Sequence, residues 1–142
     1  MVMKPLSDIP AEKARTLGEI VDRLRVVPNV MAVVLGGSYA CGLARGDSDI
    51  DVGVYYREAA PFSIDDVRSI ARRISKPGAD PTVTELYGWG PRVNGGAWIQ
   101  TPVGKVDYVY RNLDQVERVI EEGYRGVLLC WFSMKWRADV PR

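Results

Sequence analysis

Two aspartates, Asp49 and Asp51, stand two residues apart at the start of the run Ile50–Tyr56, in which Ile50, Val52, Val54 and Tyr56 alternate with Asp51, Gly53 and Tyr55. In an extended strand such alternation puts Asp49 and Asp51 on one face, with Cβ atoms roughly 6–7 Å apart, and the apolar residues on the other. Paired carboxylates suit one or two hard cations. Without a cation or base the like charges cost stability, and two solvated acids on an edge strand are the bland alternative. A third acid, Asp107, sits between Val106 and Tyr108 in a second strand-like run, Lys105–Arg111, facing away from Val106, Tyr108 and Tyr110. If the two strands are neighbours, the three acids suit two Mg²⁺ ions about 3.5–4 Å apart, clamping the attacking and leaving oxygens of an in-line phosphoryl displacement. Asp107 is then also placed to take a proton from an acceptor hydroxyl. A surface acid paired with Lys105 or Arg111 is its other reading.

Upstream, the run Val30–Leu35 ends in Gly36-Gly37-Ser38. Two glycines and a serine after a strand let the backbone turn sharply and approach a ligand closely, leaving amide hydrogens free at the start of a following helix. Such a turn takes anions, phosphate above all. Alone it fits an ordinary helix cap equally well, and the nearby acids are what favour the phosphate reading.

The elements that must hold these residues follow from periodicity. Pro10 to about Val26 carries Ala14, Leu17, Ile20, Val21 and Leu24 at helical spacing, stopped by Pro28-Asn29. The β-branched run Val30–Leu35 predicts a strand buried on both faces. Ser63 caps a predicted helix reaching Ser75, with Asp65 and Asp66 in its first turn and Arg72 and Arg73 in its last. Strands are expected over Thr82–Tyr87, Ala97–Thr101 and Lys105–Arg111, the last two joined tightly through Pro102-Val103-Gly104. Asn112 with Gln115 predicts a capping box opening a helix through about Glu122. The expected fold is α/β (α+β): a mixed, mostly antiparallel sheet of about five strands flanked by helices, forming one domain over 1–142 with its core over about 10–122. The shape of 123–142 stays open, because Gly123 and Gly126 interrupt a helical face.

Composition narrows the chemistry further. The 142 residues make one domain's worth of chain, with 46% hydrophobic and 26% charged residues. The chain contains no histidine, which removes Ser-His-Asp and Cys-His nucleophile systems and every His-ligated metal site. Two cysteines, Cys41 and Cys130, are too few for a disulfide scaffold or a thiolate zinc site, so a reducing, cytoplasmic setting is expected. No apolar run reaches signal-peptide or membrane-span length. The net charge of +1 asks for no long nucleic acid and no anionic membrane.

Gly37-Ser38, ten intervening residues, Asp49-Ile50-Asp51, and a later isolated Asp107 in a hydrophobic strand resemble the DNA polymerase beta-like nucleotidyltransferase superfamily. Size and motif are closest to minimal nucleotidyltransferases and to the N-terminal domain of aminoglycoside nucleotidyltransferases. The resemblance implies Mg²⁺-dependent transfer of a nucleoside monophosphate from a nucleoside triphosphate, ATP as first choice, to an acceptor hydroxyl, with release of pyrophosphate. It implies that Gly37 and Ser38 hold the β and γ phosphates, that Gly36, Gly42 and Arg45 belong to the nucleotide-binding run, and that Asp49, Asp51 and Asp107 hold two metals, Asp107 also serving as base. Cys41 stands where many relatives carry arginine, and Arg45 is the nearest substitute.

The apolar residues Val127, Leu128, Leu129, Trp131, Phe132 and Trp136 lie in the terminal segment. They fit a homodimer contact, a small helical partner, or a last element folded back on the sheet. The resemblance to minimal nucleotidyltransferases also implies an alternative to an enzyme: an antitoxin-like or regulatory nucleotide-binding module acting in complex with a small helical partner. Trp89, Arg92, Asn94 and Trp98 lie on or beside a Gly-rich loop, where packing is the expected role of the tryptophans and stacking on a base or acceptor the other. Tyr39 and Tyr55 flank the proposed site at Gly37–Asp51, where sugar or base is the group they would touch.

Overall fold

The structure, a computed structural model, describes residues 9–124. The chain runs α1 (Ala11–Leu24), β1 (Ala32–Gly36), α2 (Gly37–Cys41), β2 (Ile50–Tyr56), α3 (Ile64–Ile74), β3 (Thr82–Val83), β4 (Gly96–Thr101), β5 (Gly104–Asn112) and α4 (Leu113–Tyr124). The strands form one five-stranded sheet in the order β1-β2-β5-β4-β3. Only β2 and β5 run parallel; the other three pairings are antiparallel. This is the expected α+β architecture, a mixed, mostly antiparallel sheet with helices about it. The terminal segment 123–142, with its apolar residues from Val127 to Trp136, lies almost wholly outside the described residues, as does Cys130. Among the described residues no helix is long and apolar enough to cross a membrane.

One face of the sheet carries the core. Ile50, Val52, Val54 and Tyr56 of β2, Val106, Tyr108 and Tyr110 of β5, and Ala97 and Ile99 of β4 are buried together with Ile20 and Leu24 of α1 and Val67, Ala71 and Ile74 of α3. The ring of Phe62 meets Tyr56 and Tyr110 edge-on, with centroids 5.4 and 5.2 Å away. Strand alternation then sends Asp51, Gly53, Tyr55, Lys105, Asp107, Val109 and Arg111 to the opposite face.

α3 forms as its local signals dictate, with the Ser63 hydroxyl accepting the Asp66 amide and acids and arginines at the expected ends. Three expectations change. β1 is an edge strand, and Val34 keeps 43% of its surface exposed, so Val30–Leu35 is not buried on both faces. An unbroken apolar run reads alike at the centre and at the edge of a sheet; only the missing neighbour on one side distinguishes them. The strand expected over Thr82–Tyr87 is limited to Thr82–Val83, and by Tyr87 the backbone has turned to φ +63°.

The capping box is half made. The Asn112 side-chain oxygen accepts the amides of Asp114 and Gln115, but the Gln115 side chain turns to Asn94 and Pro91. Asn94 takes its place, accepting the Asn112 amide at 2.9 Å while only 1% exposed. Asn94 is thereby a structural junction of loop, strand and helix.

Candidate functional site

The pairing registers lay a single row of residues across all five strands. Gly36 pairs with Asp51, Asp51 with Asp107, Asp107 with Trp98, and Trp98 with Thr82. Register partners share a face, so the end of the glycine turn, two of the acids and an indole stand side by side on the face away from the core. Asp49 lies one residue before β2 begins, just ahead of this row.

The turn is shaped around Asp51. Gly37 has φ +61°, and a Cβ on it would lie 1.8 Å from Asp51 Oδ2. The carboxylate therefore rests against the bare α-carbon, a position any other residue would claim with its side chain. No side chain caps the N-terminus of α2, which begins at Gly37. At its other end Gly42 adopts φ +69° and stops the helix, a structural demand that accounts for the glycine without a ligand.

Burial, and secondarily the charge of Asp49, push the Asp51 carboxyl up from the usual 3.8 to about 6. The three acids do not close on a common point: among the described residues no three His, Cys, Asp or Glu side chains are gathered as a ready metal-binding set. Asp51 rests against Gly37, and Asp49 lies outside the strand that carries Asp51. Hard oxygen donors, one of them raised in pKa by burial and a like charge, nonetheless form a donor set suited to a divalent cation. Asp49, Asp51 and Asp107 are the residues that would hold it.

Beside Asp49 lies an open cavity of about 740 Å³, lined by Lys13, Arg45, Ser48, Gln100 and Lys105 among others. Arg45 belongs to a tight turn: its amide donates to the Ser48 hydroxyl at 2.8 Å and its carbonyl accepts the Ser48 amide. The Tyr39 hydroxyl donates to the same carbonyl, so Tyr39 braces this loop. Sequence reasoning missed Lys13. Only 7% exposed, it donates from Nζ to the Ser48 carbonyl at 2.6 Å and lies 5.5 Å from the Tyr39 ring centroid. Nothing local distinguishes it from any other lysine on an amphipathic helix, because its partners come from residues 39–48.

Trp89 packs as expected, its ring 4.9 Å from that of Trp98 and close over Gly96. Trp98 retains 37% of its surface exposed. Its place opposite Asp107 was readable from the hairpin: with Thr101 paired to Gly104 across a two-residue connection, counting three residues back along each strand gives Trp98 and Asp107. Tyr55 lies over Gly53, where an added Cβ would come within 2.8 Å of its ring.

The sequence model of one family, described as nucleotidyltransferase domain, matches residues 15–95. The matched span includes Gly36, Gly37, Ser38, Asp49 and Asp51 and ends before Asp107. No curated protein matches the chain.

Proposed function

The chain belongs to the nucleotidyltransferase domain family, within the polymerase beta-like superfamily, and from that premise we propose that it transfers a nucleoside monophosphate from a nucleoside triphosphate, ATP first among them, to an acceptor hydroxyl. The observation that carries this reading is the placement of Asp107 beside Asp51, which in turn lies against Gly37. A phosphate cradle and two carboxylates on adjacent strands are the parts an in-line phosphoryl displacement requires.

In this reading the backbone of Gly36, Gly37 and Ser38 holds the terminal phosphates, and Arg45 supplies positive charge from the loop before β2. Asp49, Asp51 and Asp107 would hold Mg²⁺, two ions in the full arrangement, which would supply charge neutralisation at the phosphates. Asp107 accepts the acceptor's hydroxyl proton. The acceptor oxygen bonds to the α-phosphorus, the bond from that phosphorus to the bridging oxygen of the β-phosphate breaks, and pyrophosphate leaves with the electron pair. The regulatory alternative keeps the same nucleotide site and requires a partner protein for its role.

The test is incubation of the full-length chain with α-labelled triphosphates and Mg²⁺, with and without cell extract. Metal-dependent pyrophosphate release and a labelled acceptor are expected, both reduced by about a hundredfold or more in Asp49→Asn, Asp51→Asn and Asp107→Asn. Full activity in all three variants would overturn the assignment.

A further inference from the structure

We propose that Trp98 is the floor of the acceptor site, and that the acceptor is an alcohol bearing a planar ring which lies on the exposed part of that indole. The inference rests on the transfer reading above and adds which side of the reacting phosphorus the acceptor occupies and what chemistry recognises it.

One row of residues crosses the sheet. Gly36 is at one end, Asp51 and Asp107 follow, and Trp98 comes next. In a phosphoryl displacement the leaving and attacking oxygens lie roughly in line on opposite sides of phosphorus. With the leaving pyrophosphate held at Gly36–Ser38, the attacking oxygen comes from the far side of the acids, where Asp107 takes its proton. The next residue along that direction is Trp98. Its ring is braced by Trp89, 4.9 Å away at an angle of 30°, and 37% of its surface remains exposed. Trp89 itself sits over Gly96, where an added Cβ would come within 2.6 Å of the ring. The brace thus occupies one flank of Trp98. Gln100, the next residue of β4 on the same face, lines the cavity beside Asp49 on the other.

A rigid indole backed by a second one is a stacking platform, and stacking on it reads the flat face of a ring with little regard to its edge substituents. The site therefore selects for a planar group attached to the hydroxyl-bearing part of the acceptor.

Matched alcohols test this with the full-length chain, ATP and Mg²⁺: adenosine against methyl riboside, and phenyl glucoside against methyl glucoside. In the wild type at least one ring-bearing member should exceed its partner in kcat/KM for pyrophosphate release by about fivefold to a hundredfold. The ratio, taken within each variant, cancels any loss of folded protein. It should fall to about one in Trp98→Ala and be partly kept in Trp98→Phe. No ring preference in the wild type, or a preference kept in Trp98→Ala, overturns the inference. So does a Trp98→Ala variant that loses affinity for ATP but not for tripolyphosphate, because the nucleobase would then occupy the indole. A wild type that neither binds a triphosphate with metal nor releases pyrophosphate sinks the transfer reading instead.

Discussion

Replacing Asp51 by asparagine should make the metal-free protein more stable at neutral pH. The folded state holds this carboxyl near 6 against the usual 3.8, through burial and then the charge of Asp49. Between those two values the unfolded chain gives up a proton that the folded chain retains, so this group's contribution to stability falls as pH rises from about 4 to 6 and stays low above. At about 1.36 kcal/mol per pKa unit the rise amounts to ~3 kcal/mol for a fully enclosed group. Partial exposure of the side chain reduces this to about 1–2 kcal/mol. Asparagine matches the shape against Gly37 and never ionises, so it escapes the cost. In EDTA, thermal unfolding of Asp51→Asn and wild type should coincide near pH 4 and separate by roughly 3–6 °C in favour of the variant at pH 7.5. Adding Mg²⁺ at pH 7.5 should raise the wild type and leave the variant where it was. A variant less stable than wild type at pH 7.5 in EDTA, or a gap that does not change with pH, would refute the reasoning.

Gly37→Ala adds a methyl at φ +61° into the place of Asp51 Oδ2; because the carboxylate can swing away, transfer should fall at least about a hundredfold while the urea midpoint drops only by what ~1–2 kcal/mol accounts for. Asn112→Ala removes the cap of α4 together with a partly buried side-chain bond to Glu58, and urea unfolding should register a loss of about 2 kcal/mol. Lys13→Met leaves the Ser48 carbonyl without its 2.6 Å donor. It should cost about 1.5–3 kcal/mol in the same assay, with Lys13→Arg recovering part of the loss.

What could be read from the sequence was what local chemistry decides. α3 needed only Ser63 at one end and Arg72 and Arg73 at the other, and the face of β2 needed only its period of two. The adjacency of Asp51 and Asp107 was a conditional expectation, since parallel pairing of strands some fifty residues apart leaves no local mark. Hidden from the sequence were features whose partners come from elsewhere in the fold: β1 at the sheet edge, Lys13 buried under the loop it supports, and Asn94 substituting for Gln115 at the start of α4. β3 stops short because the loop beyond it is anchored by Asn94, whose carbonyl takes the Tyr87 amide. The family match over residues 15–95 covers Gly36, Gly37, Ser38 and the first two acids and ends before Asp107, which the sequence offered through its place in a hydrophobic strand and the sheet sets beside Asp51.

The strand that fills the middle of the sheet, β5, is the last of the five in the chain. During synthesis β2 must therefore emerge with one side unsatisfied, and β1 alone cannot shield it. A nascent chain halted before residue 104 would expose an apolar ladder open to stray pairing, which places the hazard of aggregation before completion of β5. Because the same strand also carries Asp107, a ribosome-bound fragment that still lacks it has neither a closed sheet nor a finished row of acids.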